Sequence, residues 1–196
     1  MTKTPQTLKE IFEHHLPYEI DRLAEAFELL KSPRELRERL SQSTFDTVAD
    51  SLVVAFCIHG KNLIEFLSRP ISENYASSSD YADNYQPWNI AHGTQEHSIK
   101  GKLNNQLSHL TFDRTTVDSD KISIDDRIFI VQQIKNELER WAPYLKTTYN
   151  VNALPIARLT PSQTVKLSGS ISATNHTTYA SSGPFGFTGP SGSHKK

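Results

Sequence analysis

The chain has 196 residues and a mass of 22.1 kDa, enough for one domain with a hydrophobic core. Its 21 basic and 22 acidic residues give a formal net charge of −1, which provides no bulk attraction to nucleic acid or to a membrane. The single cysteine, Cys57, excludes an intrachain disulfide and a cysteine-based zinc cluster. The longest purely apolar run, residues 52–58, is too short to span a bilayer, and the first residues lack a signal-peptide pattern. We therefore expect a cytoplasmic protein without membrane contact.

The first 40 residues predict helices separated by proline. Thr4, followed by a proline, matches an N-cap with proline at the first helical position. Pro17 is expected to bend or restart this helix. A capping-box pattern that starts at Ser32 predicts a short helix over residues 33–40.

Residues 45–66 keep a strict three-four spacing that predicts a central helix. The main stripe has five apolar and two polar members: Phe45, Val48, Leu52, Ala55, His59, Asn62 and Phe66. A second stripe widens the predicted apolar face: Ala49, Val53, Cys57 and Ile64. His59 and Asn62 lie one turn apart on this expected buried face, where an unpaired polar group costs about 1–3 kcal/mol. They predict either a hydrogen-bond network that fixes the helix register or a cleft in which His59 is functional.

Two more helices are predicted, over about residues 94–112 and from Ser123 to about residue 145. Ser123 is a suitable N-cap, and two aspartates follow it in the first turn, where they favour the helix dipole. The alternation typical of strands does not occur in residues 1–150. The sequence therefore predicts an all-α fold, an antiparallel four- to five-helix up-and-down bundle.

Two segments are predicted to have irregular structure. Residues 68–93 form a long connection whose four aromatic side chains are expected to fold back onto the domain: Tyr75, Tyr81, Tyr85 and Trp88. Half of residues 151–196 are Ser, Thr, Gly or Pro, and this segment has four basic and no acidic residues. We expect a helical domain over residues 1–150 with a net charge of −5, followed by a disordered basic tail over 151–196.

Polar residues in and after the fourth predicted helix could carry chemistry. His109 can act as acid or base near neutral pH, Asp113 could orient its imidazole one turn later, and Arg114 could hold a phosphate. Asn104 and Asn105 add neutral donors along the same helix. The alternative is a polar helix end in which Asp113 and Arg114 form ordinary ion pairs.

Motifs for bound metals or cofactors are not found in the sequence. The Cys, His and carboxylate residues have no metal-ligand spacing, and no glycine-rich phosphate loop occurs. No serine lies in a nucleophile-elbow pattern. We expect neither a metal nor a cofactor.

Two motifs of the chain resemble motifs that occur in the same order in a group of uncharacterised bacterial helical proteins. Residues 56–67 (FCIHGKNLIEFL) are similar to a pattern FCIHxRNLIDF, and residues 104–114 (NNQLSHLTFDR) to NxQxxHLTYDR. An aromatic loop that ends in Trp88 lies between them, and Trp141 follows. The resemblance covers about residues 15–147 and implies a helical fold without a defined activity.

A looser resemblance is to the HEPN superfamily (higher eukaryote and prokaryote nucleotide-binding domains). Its motif is an arginine, a polar residue next to it, and a histidine four to six residues after the arginine. Residues 104–109 match this spacing, with Asn105 in the polar position and His109 as the histidine. The resemblance implies a dimeric helical bundle and metal-independent ribonuclease chemistry. Asn104 stands where the family has arginine, which implies weak or absent cleavage.

The sequence therefore predicts a HEPN-like homodimer associated with RNA in a defence or toxin–antitoxin context. Any catalysis would use His109 as acid or base, Asn104 and Arg114 as phosphate-side donors, and Asp113 as the orienting group. The alternative is a non-enzymatic helical module for dimerisation or for binding a partner protein. A third hypothesis is a nucleotide or small-molecule sensor with residues 68–93 as its lid.

Overall fold

The computed structural model describes residues 3–89, 99–107 and 122–160, and only the backbone of Lys100 and Asn105. Within these ranges all regular elements are helical, and one isolated bridge joins Ala82 to Leu145. The α-helices are α1 (Pro5–Glu10), α2 (Leu16–Lys31), α3 (Pro33–Arg39), α4 (Gln42–Ser68), α5 (Ser78–Tyr81), α6 (Ile99–Leu107) and α7 (Ile124–Trp141). Short 3₁₀ turns follow at Ala142–Tyr144, Val151–Ala153 and Ile156–Arg158. The all-α prediction is confirmed.

The N-terminal helix changes its winding where proline enters it. Thr4 caps α1 by accepting a 3.1 Å hydrogen bond from the Thr7 amide, as predicted. The chain then makes a π-helical turn over Ile11–His15, in which the Leu16 amide bonds to the Ile11 carbonyl five residues back. Pro17 has no amide hydrogen and its ring crowds the preceding turn, so a widened turn lets α2 begin without a break.

The short α3 begins at Pro33 as expected, but the predicted capping box does not form. Ser32 has φ −121° and ψ 60°, and its side chain makes no capping hydrogen bond. This residue ends α2 as well as preceding α3. The turn between two helices therefore sets its backbone in place of an N-cap geometry.

The helices α2 and α4 form the largest helix–helix contact of the described chain and run antiparallel. Phe27, near the end of α2, packs against Phe56 with ring centroids 6.4 Å apart. Glu19, two turns earlier in α2, reaches His59, further along α4. The chain reverses between them through α3.

Gly60 is the buried position of α4 at which side chains of three other helices meet. A Cβ atom at this buried position would lie 3.7 Å from Leu23 of α2, 3.8 Å from Ile130 of α7 and 4.0 Å from Leu103 of α6. Three helices therefore pack around this position in the C-terminal half of α4.

The buried face of α4 includes Cys57 and Ile64 of the second predicted stripe but differs from the main one. All the residues that α4 buries lie in its C-terminal half: Phe56, Cys57, Gly60, Leu63, Ile64 and Leu67. The main predicted stripe lies on the edge of this face, where most of its members are half-buried and Asn62 is exposed. Both series satisfy helical spacing, so periodicity alone could not choose between them. Gly60 belongs to the buried series and was overlooked because it has no side chain.

Length and composition would also allow α4 to cross a membrane. Among the described helices, α4 is the one that is long and apolar enough to span a bilayer. Of its most apolar 18-residue window, 33% is buried inside the fold. A core helix of a globular domain passes the same test, so this finding is weak evidence in either direction.

Residues 69–89 fold back onto the helices, as predicted for three of their four aromatic residues. Tyr81 and Tyr85 are buried and Trp88 packs against the core, whereas Tyr75 is exposed. The ring of Tyr81 lies among four other aromatic rings: Phe12, Phe66, Trp141 and Tyr149. This cluster joins the N-terminus, α4 and the end of α7.

The packed chain extends ten residues beyond residue 150, where the tail was expected to begin. Leu154 and Leu159 are buried, and Arg158 contacts Asp21 at 2.6 Å and Glu25 at 3.4 Å. These apolar anchors and ion pairs hold residues 151–160 against α2, although the composition of 151–196 as a whole is that of a tail. Residues 161–196 lie outside the described residues.

Candidate functional site

A carboxylate of α2 joins two polar residues of α4. The Oε2 atom of Glu19 lies 2.7 Å from Nδ1 of His59 and accepts a 3.2 Å hydrogen bond from Nδ2 of Asn62. The side chains of His59 and Glu19 are 13% and 24% exposed, and Asn62 is exposed. We call Glu19, His59 and Asn62 the polar triplet.

The local structure explains why these side chains meet. In α2, Glu19 precedes the buried Ile20 and follows Pro17 and the π-helical turn. In α4, His59 precedes the buried Gly60. Each polar residue is therefore one position away from the buried face of its helix, at the edge where α2 and α4 touch.

The polar triplet leaves one nitrogen of the imidazole available. A carboxylate only accepts hydrogen bonds, so Nδ1 of His59 carries the proton in this contact when Glu19 is ionised. None of the described residues hydrogen-bonds to Nε2 of His59. An imidazole oriented by a carboxylate through Nδ1, with Nε2 unbonded, is the arrangement that suits general acid–base chemistry.

An aromatic ring adjoins His59, and a guanidinium adjoins that ring. The Tyr18 ring stands edge-on to the imidazole, with centroids 5.7 Å apart and planes at 79°. Cζ of Arg22, one turn along α2, lies 5.5 Å from the centroid of the Tyr18 ring. Tyr18 is 52% exposed, so the polar triplet opens to solvent next to an aromatic surface.

The sequence-predicted site residues are only partly described. His59 and Asn62 come together through Glu19, which supports the predicted network, although Asn62 lies at the surface and not in a core. Asn104 is half-buried in α6. The structure describes only the backbone of Asn105, and His109, Asp113 and Arg114 lie outside the described residues. The proposed roles of His109, Asp113 and Arg114 therefore stay predictions.

Sequence reasoning missed Glu19, Tyr18 and Arg22. The position of Glu19 in the sequence does indicate that it lies beside a buried face. It follows a proline and adjoins the apolar series of α2 formed by Leu16, Ile20 and Leu23. Its partner is forty residues away, and spacing within one helix cannot identify such a partner.

A second polar cluster lies on α7 and ties residues 69–89 to the bundle. The hydroxyl of Tyr85 donates a hydrogen bond to the buried Glu137, which also forms an ion pair with Arg140. Arg140 donates to the Gln86 carbonyl at 2.9 Å. Burial, and then the hydrogen bond to Glu137, raise the pKa of Tyr85 above its ordinary value. All these groups are paired with one another, so the cluster has a structural role.

Other features of the described chain are less suited to chemistry. No group of three or more His, Cys, Asp and Glu residues in it could hold a metal ion. A shallow groove is lined by Ala24, Glu25, Glu28, Leu29 and Arg158. Its two carboxylates outnumber its one guanidinium, which makes it unsuitable for an anion. Burial raises the pKa of the Cys57 thiol to about 12, so this cysteine is a poor nucleophile.

Comparisons of the chain with protein-family models, with curated proteins and with solved structures gave no match.

Proposed function

We propose that this is a HEPN-like helical protein that associates with RNA in a defence or toxin–antitoxin context, with weak or absent metal-independent ribonuclease activity. The observation that supports the proposal is the 2.7 Å contact between Glu19 and His59 at a solvent-reaching edge. It orients an imidazole beside a surface that a large ligand can reach. The resemblance of residues 104–109 to the HEPN motif supplies the RNA context.

The reaction that suits this arrangement is transesterification of RNA. The imidazole of His59 would take the proton of a ribose 2′-hydroxyl as its oxygen attacks the adjacent phosphorus. The bond from phosphorus to the 5′-oxygen breaks, and that oxygen takes the proton back from the imidazolium of His59, which returns the ring to its neutral form. The products are a 2′,3′-cyclic phosphate and a 5′-hydroxyl. No metal is needed in this scheme, and Glu19 would stabilise the imidazolium.

The expected rate is low because the transition state gathers negative charge on the phosphate. Arg22, the guanidinium on the neighbouring Tyr18 ring, already pairs with Glu25 at 2.8 Å. Asn104 stands in the arginine position of the motif and carries no charge. Loss of one charge-stabilising donor typically reduces a rate by about 10²–10³.

Binding and cleavage of RNA by the purified full chain test the proposal. Labelled total RNA should be retarded in a native gel, and any cleavage should continue in EDTA. His59→Ala and His109→Ala should each reduce cleavage, whereas His14→Ala, an exposed histidine outside the polar triplet, should not. Failure of the unmodified protein to bind RNA would refute the proposal.

A second candidate function is a non-enzymatic dimerisation module, and the N-terminal half of α4 favours it. Residues 42–55 contain no fully buried position, although Phe45, Val48, Leu52 and Ala55 keep heptad spacing. The flanking residues Thr44, Ala49, Ser51 and Ile58 are uncharged. An uncharged heptad stripe about 20 Å long suits a second copy of the same helix.

The oligomeric state tests this second candidate. Sedimentation should find a dimer of the full chain, and Leu52→Glu should convert it to a folded monomer. Thr47→Glu introduces the same charge on the exposed side of the same helix and should leave the dimer intact. A monomeric unmodified protein would refute this function.

A further inference from the structure

The exposed ring of Tyr18 has the properties of a base-stacking surface. It is 52% exposed, yet its position is held by Arg22, whose Cζ lies 5.5 Å from the ring centroid, and by the imidazole of His59, whose plane is at 79° to the ring. Tyrosine loses little conformational entropy on binding, and a ring already held by its neighbours loses still less. Large exposed aromatic side chains that are held in place are typical of surfaces that recognise flat ligands.

The residues before Tyr18 hold the backbone on which it stands. The π-helical turn over Ile11–His15 leads directly into Leu16, which is buried, and Pro17 has a fixed φ. Tyr18 therefore extends from the first turn of α2 and not from a loop. Short π-helical segments of this kind occur often at functional sites.

The described charges near Tyr18 do not favour recognition by phosphate neutralisation. Among the described residues, Arg22 and Arg158 are cations that contact α2, and both form ion pairs with Glu25. Asp21 pairs with Arg158, and Glu19 pairs with His59. Carboxylates outnumber guanidiniums here, so a nucleic acid would gain little from its phosphates at this site.

We infer that Tyr18 and Arg22 form a stacking platform for one unpaired nucleobase beside His59. The inference rests on the proposed function and names its substrate class, a single-stranded RNA segment and not a duplex. A base that stacks on the Tyr18 ring lies in van der Waals contact with it. The centroid of the His59 imidazole is 5.7 Å from the centroid of the Tyr18 ring. The ribose of the stacked nucleotide would therefore lie within reach of the imidazole.

The stacking mode predicts an unusual binding profile. Because phosphate contacts are few, affinity should change little between 50 and 200 mM salt, in contrast to a protein that neutralises many phosphates. Because paired bases offer no free face, a duplex of the same length should bind far more weakly. Because every base has a π-face, sequence preference should be small.

Fluorescence anisotropy with a labelled 12-nucleotide single-stranded RNA tests the inference on the full chain. Tyr18→Ala should weaken binding about tenfold or more, and Tyr18→Phe should retain it. Tyr144→Ala removes a similarly exposed tyrosine, 44% exposed, at the end of α7 and should have no effect. Thermal melting of each variant should match the unmodified protein, since exposed residues are changed.

The outcomes separate the inference from the proposed function. If the unmodified protein binds the RNA and Tyr18→Ala binds it equally well, the stacking platform is refuted while RNA association stands. If the unmodified protein binds no RNA of any kind, the proposed function fails. Competition with AMP and UMP tests whether the platform binds the base of a free nucleotide or a base within an RNA strand. Displacement of the RNA by equimolar mononucleotide would assign the platform to free nucleotides, and the absence of competition would assign it to RNA strands.

Discussion

Glu19 and His59 are forty residues apart in the chain, yet Oε2 of one lies 2.7 Å from Nδ1 of the other. The contact joins the two helices that form the largest helix–helix contact of the described chain, and it is only partly shielded from water. It serves two purposes at once. It fixes the register between α2 and α4, and it orients an imidazole whose second nitrogen is bonded by none of the described residues.

The structural part of this contact has a measurable energy. We expect His59→Ala to destabilise the fold by about 1–2 kcal/mol, because Glu19 loses its partner in a partly buried position. Glu19→Gln should cost less, since an amide oxygen can still accept from Nδ1. Urea denaturation of both single variants and the double variant gives the coupling energy. Additive effects would show that the pair contributes nothing to stability.

Gly60 should tolerate a methyl group despite its burial. Its Cβ position meets its neighbours at 3.7–4.0 Å, which is ordinary van der Waals contact. Since glycine weakens a helix interior, we expect Gly60→Ala to raise the free energy of unfolding by about 0.5–1 kcal/mol. Gly60→Leu should destabilise the fold by overpacking. Thermal melting of the two variants checks both signs, and a destabilised alanine variant would contradict the described packing.

Asp126 should make stability depend on acid pH. Burial opposes ionisation of its carboxyl, but the hydrogen bonds from Lys102 and Ser123 outweigh it and lower its pKa below the ordinary 3.8. The carboxylate therefore stabilises the fold above about pH 4, and this contribution is lost as the pH falls through the lowered pKa. Asp126→Asn should lose about 0.5–1 kcal/mol at pH 6 and nothing at the acid limit.

The matched control for Asp126 is its neighbour Asp125, which is exposed in the same first turn of α7. Asp125→Asn should show the smaller effect of losing a charge at a helix N-terminus. Urea denaturation from pH 2 to pH 6 compares the two variants. Equal effects would show that Lys102 does not stabilise Asp126.

Tyr85→Phe should loosen residues 69–89. The substitution removes the hydrogen bond to Glu137 while it keeps the ring under Arg140, whose Cζ lies 4.7 Å from the ring centroid. A buried carboxylate that loses one donor costs about 1–3 kcal/mol. Hydrogen exchange should accelerate at the Asp83 amide, which bonds to the Tyr144 carbonyl, before it accelerates in α4. Unchanged exchange in this segment would show that other contacts hold it.

Local signals in the sequence predicted much of the fold. Thr4 and Ser123 cap their helices as expected, and Ser123 forms a full capping box with Asp126. The helix predicted from Ser123 forms as α7, which ends at Trp141 and is followed by a 3₁₀ turn over Ala142–Tyr144. These predictions succeeded because each depends on residues within one or two helical turns.

The features that the sequence did not predict depend on tertiary contacts. Two apolar series on α4 satisfy the same period, and only the positions of the other helices decide which is buried. The π-helical turn is a response of the backbone to Pro17, and no side-chain pattern encodes it. Glu19 entered the site because α2 and α4 are antiparallel, a relationship that spacing along one helix cannot show.

The most direct test of a functional His59 is the NMR signal of its imidazole during titration with single-stranded RNA. If His59 faces the bound RNA, its ring nitrogen and carbon resonances should shift progressively and saturate, and Glu19→Gln should alter that response. The contradicting result is that the RNA shifts only the resonances of histidines outside the described residues, such as His176 and His194, while those of His59 stay unperturbed at saturation. The polar triplet would then be a structural contact, and the proposed RNA site would be wrong.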